Sequence, residues 1–241
     1  MKQILIDADG LLYKAALKGN MNITWSEEEG DTSNIIDFDK AKKKLLKVIN
    51  NIEKQTQSTN RLFCLSDKRS NYFRNEIYPL YKSKRTSPKP VLLPVLKAWL
   101  QEHYAAYMIP TLEADDLLGI FSSESNTVQV SFDKDLKQIP GKFYDLTHDA
   151  MSTITREEAD YNFFLQCLMG DSTDGYPGLP KVGIKGATRI LDDDCSWEAV
   201  VRAYEGKGLT EEAALVQARV ARILRPGEYN FKTKEVTLYA D

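Results

Sequence analysis

The first 150 residues alternate short apolar runs with segments in which apolar residues recur at helical spacing. The apolar run at residues 2–6 ends on Asp7, which is typical of a buried strand. Across residues 41–52 the apolar positions instead have a helical period, with lysines on the other face, which predicts a helix capped by Asp37 or Asp39. The same pattern predicts further strands at residues 61–65, 107–109, 127–132 and 142–144, and further helices at 91–107 and 113–121. Strands alternating with helices favour an α/β fold with a mostly parallel central sheet and flanking helices.

The strand pattern stops beyond Ser152, and the remaining residues predict helices. Thr155 and Glu158 have the spacing of a capping box that opens a helix to about Met169. The later predicted elements are a loop rich in Gly, Pro and Asp at 170–186, helices from about Gly186, after Ser196 and after Thr210, and a hairpin within 229–239. We therefore expect an α/β core of residues 1–154 with a helical region of residues 155–241 packed on it.

Acidic residues follow three of the predicted strands. Asp7, Asp67 and Asp133 come at or just after strand ends, and the carboxyl ends of parallel strands form the functional crevice of an open sheet. Neighbouring carboxylates raise one another's pKa unless cations hold them, and oxygen ligands without His or Cys favour Mg²⁺ or Mn²⁺ over zinc. The other acids available to this crevice are Glu113, Asp115, Asp116, Asp135, Asp171 and Asp174. Together they predict a site for two divalent ions, the usual arrangement for in-line attack on a phosphodiester.

Composition narrows the class of protein. The chain has 241 residues, of which 42% are hydrophobic and 28% charged, as in a folded globular protein. Its three scattered cysteines give no zinc site and favour a reducing, cytoplasmic location, and its first residues do not resemble a signal peptide. No apolar run approaches the roughly 20 residues of a membrane span, so no membrane association is expected. The formal net charge of −3 alone argues against a simple basic nucleic-acid binder.

Other interpretations of the acids stay open from the residues alone. An acid after a strand is often only a helix N-cap, which is the preferred interpretation of Asp67 by itself. The acids at 113–116 are also typical of an exposed first helical turn. Asp7-Ala-Asp9-Gly10 fits the DxDG signature of haloacid-dehalogenase-type phosphatases, in which the first Asp attacks phosphorus, but that chemistry leaves residues 113–116 and 133–135 unexplained.

Four motifs stand in a fixed order along the chain. They are Glu113-Ala-Asp115-Asp116, Ser131-Phe-Asp133-Lys-Asp135, Gly170-Asp171-Ser-Thr-Asp174 and Gly178-Leu-Pro-Lys181-Val-Gly183-Ile-Lys185-Gly186-Ala187. In kind, order and separation they resemble the flap endonuclease/5′→3′ exonuclease family, and residues 221–231 are similar to the free-standing phage exonucleases. The resemblance covers Asp7 to about Leu191. It implies a PIN-like 5′-nuclease fold with a helical arch in the segment of about 68–107 and a C-terminal helix–turn–helix (helix–three-turn–helix) region.

The resemblance also implies roles for individual side chains. Asp7, Asp67, Glu113, Asp115 and Asp116 would hold the metal ion nearer the scissile phosphate, and Asp133, Asp135, Asp171 and Asp174 would complete the second metal region. Asp9 has no counterpart and is expected to be a turn or helix cap. Residues 68–90 are dense in Lys, Arg, Tyr and Pro without an apolar period, so we expect them to be exposed and basic. Within this segment, Lys82 and Arg85, assisted by Arg74, would neutralise the phosphoryl transition state. The aromatic residues Tyr72, Phe73, Tyr78 and Tyr81 offer stacking surfaces to frayed bases, although we expect more of them to be packing residues.

The glycine-rich loop within residues 175–190 resembles the family's duplex-binding element. Glycines let the chain approach phosphate closely, and exposed amides at a helix N-terminus bind it. The family loop often holds K⁺, although here Lys181 stands where a glycine is usual and Gly175 replaces a common Asn. The DNA-binding residues implied are Lys181, Gly183, Lys185, Gly186 and Arg189.

These observations predict a metal-dependent 5′→3′ exonuclease and flap endonuclease. Its substrates would be duplex DNA with a 5′ end, a flap or an RNA primer, and we expect a monomer without an indicated protein partner. The alternative is a dehalogenase-type phosphatase with Asp7 as nucleophile. A PIN-type ribonuclease would lack the glycine-rich loop, and a non-catalytic DNA-binding module would have lost acids. If nine of the 35 acids hold metal, basic residues outnumber acidic ones in the rest of the chain, so the net charge no longer excludes nucleic acid.

Overall fold

A six-stranded sheet forms the centre of the part of the chain that the computed structural model describes, residues 2–24 and 32–240. The strands are β1 (Gln3–Asp7), β2 (Asn20–Thr24), β3 (Thr32–Ile36), β4 (Arg61–Leu65), β5 (Ala106–Met108), β6 (Thr127–Ser131), β7 (Gly141–Asp145), β8 (Ala150–Ile154), β9 (Tyr229–Asn230) and β10 (Glu235–Val236). The helices are α1 (Ala8–Gly19), α2 (Phe38–Thr56), α3 (Arg74–Ile77), α4 (Leu93–His103), α5 (Ala114–Phe121), α6 (Arg156–Met169), α7 (Ile184–Asp193), α8 (Trp197–Glu205) and α9 (Glu211–Ala221). The sheet order is β5-β4-β1-β6-β7-β8, while β2–β3 and β9–β10 form separate hairpins.

The central strand β1 lies where the strand order reverses. Strands β4 and β5 extend the sheet to one side of β1, and β6 and β7 extend it to the other, all in parallel. Only β8 runs antiparallel within this sheet, against β7. This confirms the expected mostly parallel sheet, and it places a crevice beyond the carboxyl end of β1.

Alternating side chains on β1 divide the core into two layers. Ile4 and Ile6 face a cluster that includes α1, α2 and α4, whereas Leu5 faces the cluster built around α5. Both layers are apolar because parallel strands are covered on both faces. The carboxyl end of β1 is therefore held rigidly between two packed layers, as a functional site requires.

The helical region contributes to two apolar clusters. Its residues Ala159, Ile223 and Leu224 join the cluster around α5 and so pack on the sheet. Helices α6 to α9 supply most of a third cluster, in which Tyr72 and Tyr81 of residues 68–90 are buried. The predicted capping box of Thr155 and Glu158 opens α6, which ends at Met169 as expected. Ser196 and Thr210 cap α8 and α9, and the C-terminal hairpin forms as β9–β10. In the described residues no helix has the length and apolar character needed to cross a membrane.

Several elements differ from the sequence predictions. Helix α1 was not predicted, although Ala8, Leu11 and Ala15 are spaced as a buried helical face. Strand β8 continues to Ile154, so strands do not stop at Ser152. Helix α4 spans Leu93–His103 rather than 91–107, with Pro94 in its first turn as expected.

Residues 68–90 were expected to be exposed instead of part of the core, and this is wrong for several of them. Arg74 is 3% exposed, and Tyr72, Tyr81 and Lys82 are also buried. Two of its buried side chains, Arg74 and Lys82, are charged and are stabilised by ion pairs, so the burial in this segment leaves no apolar period. Between α3 and α4 the chain forms turns and irregular structure, so helix in the expected arch consists of these two elements and a single 3-10 turn at Arg69–Asn71.

Candidate metal centre and nucleic-acid interface

A cleft of ≈ 990 Å³ contains most of the acids predicted for the site. It opens beyond the carboxyl ends of β1 and β4. Basic side chains, including Lys82 and Arg85, line it together with the acids. The predicted carboxylates that line it are Asp7, Asp67, Glu113, Asp115, Asp133, Asp135, Asp171 and Asp174; Asp116 is not among the lining residues.

Asp7 is held firmly at the end of β1. Its Oδ2 accepts a hydrogen bond from the Ser131 hydroxyl at 2.8 Å, and its Oδ1 caps α1 by accepting from the Asp9 amide at 3.1 Å. Burial and the neighbouring carboxylate of Asp9 raise the pKa of Asp7 to about 6, although the Ser131 hydroxyl opposes the shift. Asp7 is therefore an anion that the fold keeps in place at an electrostatic cost.

Asp115 shares this strained environment. Burial, followed by the charges of Asp7 and Asp133, raises the pKa of Asp115 well above its ordinary value. Burial and the charge of Asp133 likewise raise the pKa of Asp135. The loop that carries these last two acids is fixed by the Ser131 hydroxyl, which accepts from the Asp133 amide at 2.9 Å. A cation between these carboxylates would relieve their repulsion.

Glu113 and Asp174 are neutralised by the basic segment. The Lys82 ammonium donates to Glu113 Oε1 and lies 3.3 Å from Asp174 Oδ2. The Tyr81 hydroxyl lies 2.8 Å from Glu113 Oε2 and 3.2 Å from Asp174 Oδ2, and Arg85 pairs with Asp174. Burial alone would raise the pKa of Glu113, but Lys82 holds it below its ordinary value. Tyr81 is only 5% exposed, so the expected stacking on a base does not fit its position.

Asp116 and Arg74 form a buried pair, in which Arg74 lines the cleft and Asp116 does not. Asp116 is fully buried, and both its oxygens accept from the Arg74 guanidinium at 2.7 Å. Arg74 also donates to Glu113 Oε2 at 3.1 Å and to the backbone oxygens of Val220 and Arg222. We therefore correct two predictions, since Asp116 has no oxygen free for a metal ion and Arg74 has no donor free for a phosphate. Both residues position Glu113.

Two acids in the cleft were missed as site residues. Asp9 lies in the first turn of α1 rather than capping it, and its Oδ2 accepts from the Ser66 amide at 3.1 Å. Asp145 ends β7 and accepts from His148 Nδ1 at 2.8 Å. Asp145 comes at the end of a predicted strand just as Asp7 does. The expectation that acids at the carboxyl ends of parallel strands line one crevice was therefore sufficient to find it. Asp67 accepts from the Thr111 amide at 3.0 Å and from Asn71 at 3.1 Å, which agrees with a loop-anchoring role in addition to its place in the cleft.

The carboxylate oxygens of the cleft are the kind of ligand that a hard divalent cation prefers. The mutual repulsion of Asp7, Asp115 and Asp133 is what such an ion would offset. In the described ranges, no three Asp, Glu, His or Cys side chains converge as they would around an ion. Lys82 and Arg85 take up part of the acidic charge instead.

The glycine-rich loop leads into the N-terminus of α7. Lys181, Lys185 and Arg189 are exposed around it, and the N-cap is Gly183, beside which a Cβ atom would meet open space. Lys181 has φ 62°, a left-handed conformation that favours glycine. At the base of the loop the backbones of Gly170 and Gly178 are in direct contact. Only glycine fits there, because a Cβ on Gly178 would lie 2.2 Å from the Gly170 nitrogen.

Comparisons with known proteins agree with this arrangement. The exodeoxyribonuclease of Enterobacteria phage T3 is 28% identical over 98% of this chain and 92% of its own length. The exonuclease of Escherichia phage T7 is 29% identical over the same shares. Among solved structures, the bacteriophage T5 D15 protein co-crystallised with metal ions has a TM-score of 0.69 at 12% identity, covering 92% of this chain and 89% of that one. The catalytic core of Rad2 in complex with DNA has a TM-score of 0.52 at 10% identity, covering 86% and 65%.

The family itself follows from a match to residues 2–163. The matching model is described as 5′-3′ exonuclease, N-terminal resolvase-like domain. The match covers the strand-end acids of β1, β4 and β6 and the acids of α5, and it does not support the phosphatase alternative. Since it covers more than half of the chain, the protein belongs to the 5′-3′ exonuclease family.

Proposed function

We propose that the protein is a metal-dependent 5′→3′ exonuclease and flap endonuclease that hydrolyses DNA at 5′ ends, flaps or RNA primers. The observation that carries this proposal is the cleft that gathers the carboxylates of Asp7, Asp115 and Asp133, where burial and neighbouring acids raise the pKa of Asp7 and of Asp115. The solved T5 D15 structures with metal ions and with DNA support the same chemistry here. We further propose that the protein acts as a cytoplasmic monomer with two Mg²⁺ or Mn²⁺ ions.

The side chains divide into metal ligands and charge neutralisers. Asp7, Asp115, Asp133 and Asp135 would hold the ions on one side of the cleft, with Asp67, Asp171 and Asp174 around them. When bound, the ions supply Lewis-acid stabilisation of the attacking and leaving oxygens. Lys82 and Arg85 lie beside the acids and would counter the charge that develops on the phosphoryl oxygens.

The N-terminus of α7 would bind the duplex backbone. Its exposed amides and the surrounding charges of Lys181, Lys185 and Arg189 suit phosphate, and the open space beside Gly183 permits close approach. A K⁺ ion in this loop is part of the proposal. Phosphate contacts of this kind position DNA without reading its sequence.

End-labelled flap, nicked, blunt and single-stranded DNA, incubated with Mg²⁺ or with chelator, test the proposed activity. We expect short 5′ products that require Mg²⁺, and comparing substrates ranks flap against exonucleolytic cleavage. Hydrolysis of p-nitrophenyl phosphate with all four DNA substrates left intact would refute the nuclease.

Mg²⁺ is expected to stabilise the protein more at pH 7.5 than at pH 5. The pKa of Asp7 is raised to about 6 in the fold, above its unfolded value near 3.8, so the metal-free native state takes up a proton between these values. This group's contribution to stability therefore falls as pH rises towards 6, and a divalent ion offsets that loss only where Asp7 is ionised. Differential scanning fluorimetry with millimolar MgCl₂, against KCl of equal ionic strength, measures the shift in Tm. A Tm shift that is equal at the two pH values, or absent, contradicts the clustered site.

Replacing Lys82 by Ala is expected to slow single-turnover cleavage by about a hundredfold while DNA affinity changes little. The ammonium neutralises charge that is greatest in the transition state, so its loss affects chemistry more than binding. Lys84→Ala removes an exposed lysine two positions away and serves as the control. A large loss of affinity with a normal single-turnover rate would argue against this role. A slower rate that is explained by a lower Tm and a smaller folded fraction would mean that Lys82 only stabilises the fold through its ion pairs.

Two substitutions at Lys181 separate its charge from its backbone conformation. Lys181→Gly and Lys181→Ala are both expected to weaken duplex binding. In both variants the slope of log K against the logarithm of the salt concentration should decrease by about the amount that one phosphate contact contributes. Only glycine relieves the left-handed conformation, so the glycine variant is expected to be more stable than the alanine variant by about 1 kcal/mol. Filter binding across a salt series and urea unfolding provide the two measurements. Unchanged affinity in both variants would remove Lys181 from the DNA interface.

A further inference from the structure

A second groove lies between α1 and α2. It has a volume of ≈ 630 Å³, within the range of pockets that bury a sizeable ligand. Phe132 lines both this groove and the acidic cleft, so the two are neighbours. The apolar residues along it are Leu11, Ala15, Leu17, Leu45, Val48 and Leu146.

Four lysines surround this apolar floor. Lys14 and Lys18 come from α1, Lys44 and Lys47 come from α2, and all four are exposed. None of them forms an ion pair with a carboxylate of the described residues. The acid that lines the groove, Asp149, already accepts hydrogen bonds from Asn51 and Tyr144. The lysine charges are thus available to an external anion.

The floor suits aliphatic side chains better than nucleic-acid bases. Bases bind single-strand sites by stacking on exposed aromatic rings. Here Tyr144 is 1% exposed, and the Lys14 ammonium covers Phe132 at 3.4 Å from the ring centre. By contrast, Leu17 is 48% exposed beside the groove. A groove between two helices with an aliphatic floor and a cationic rim matches the recognition of an amphipathic helix that carries acidic residues.

We propose that the groove between α1 and α2 docks an acidic amphipathic segment of another protein. Leucine-like anchors of the segment enter the apolar floor, and its carboxylates meet the four lysines. Such a contact tethers the nuclease close to its substrate without using any residue of the cleavage machinery. The proposal extends beyond the nuclease function, and the two fail independently.

Fluorescence anisotropy tests the proposal with a defined probe. The probe is a fluorescein-labelled peptide with Leu at positions i, i+3, i+4 and i+7 and Asp or Glu elsewhere. The groove variant Lys44→Glu/Lys47→Glu is expected to bind it about tenfold more weakly than the wild type, because two attractive charges become repulsive. The control variant Lys43→Glu/Lys54→Glu makes the same change of charge at exposed α2 lysines outside the groove and is expected to bind as the wild type does. Nuclease activity on a short nicked substrate checks that each variant is folded.

Three results would overturn the proposal. The first is equal binding of the probe to the groove and control variants, which would show only non-specific charge attraction. The second is equal binding of a scrambled peptide that disperses the leucines. The third is a wild-type protein that does not bind the peptide but binds oligo(dT), or self-associates in sedimentation velocity, and loses that binding or self-association in the groove variant. That result would assign the groove to a nucleic-acid strand or to a second copy of the chain.

Discussion

Replacing Asp133 by Asn is expected to lower the rate of DNA cleavage by at least about a thousandfold while leaving DNA binding largely intact. A factor of this size corresponds to roughly 4 kcal/mol of transition-state stabilisation, which is what loss of a metal ligand removes. Asparagine keeps the shape and the Oδ1 acceptor that now receives the Asp135 amide at 2.9 Å, so the loop is expected to keep its conformation. The variant therefore removes the charge and little else.

Single-turnover cleavage of a labelled flap and anisotropy of the same DNA separate the two effects. Asp39→Asn removes an equal charge at the exposed start of α2 and is expected to cleave at the wild-type rate. The Asp133→Asn variant should also show a higher Tm than the wild type without metal, since it removes one charge from the repelling set around Asp115. Unchanged cleavage would exclude Asp133 from the metal site.

The strand-end acids could be predicted because they depend on local pattern and on one rule of topology. A short apolar run that ends on Asp7 is visible in the sequence, and parallel strands bring their carboxyl ends to one edge. The same reasoning placed Asp133 correctly in the cleft. Such predictions succeed because the side-chain period of a strand and the direction of its neighbours determine where its last residue lies.

The role of the basic segment could not be predicted because it depends on tertiary partners. Residues 68–90 have the composition of an exposed loop, yet Lys82 and Tyr81 are buried between Glu113 and Asp174. No local pattern distinguishes a cation that meets solvent from one that meets a carboxylate about 30 residues later in the chain. The family resemblance indicated that Lys82 is important, but only the structure shows that it joins two acidic motifs.

Asp115 and Asp116 belong to the same motif but have different roles in the structure. In the sequence it is equivalent to Asp115, since both belong to one acidic quartet in the first turn of a helix. Successive helical residues point in directions about 100° apart, so the two adjacent acids have different surroundings. Asp115 faces the cleft, and Asp116 faces the core, where Arg74 meets it. The motif alone therefore could not show which of the two acids has its oxygens free for a metal ion.

Replacing Arg74 by Met is expected to destabilise the protein by about 3–5 kcal/mol, a large share of the stability of an ordinary domain. Asp116 is fully buried, so it would lose both guanidinium hydrogen bonds and keep only the Glu113 and Leu224 amides as donors. The backbone oxygens of Val220 and Arg222 would lose their partner as well. Lysine cannot replace the forked guanidinium, and Arg74→Lys is expected to recover little.

A double substitution shows whether this cost arises from the unpaired charge. In Arg74→Met/Asp116→Leu both charges are absent, so much of the lost stability is expected to return, and the coupling between the two sites should exceed about 1 kcal/mol. Urea unfolding of both single variants, the double variant and the exposed control Lys68→Met gives the cycle. A cost below about 1 kcal/mol for Arg74→Met, no greater than the control, would mean that the guanidinium is not the link between the basic segment and α5. The expected result instead makes Arg74 the residue through which α3, α5 and the end of α9 hold Glu113 at the edge of the cleft.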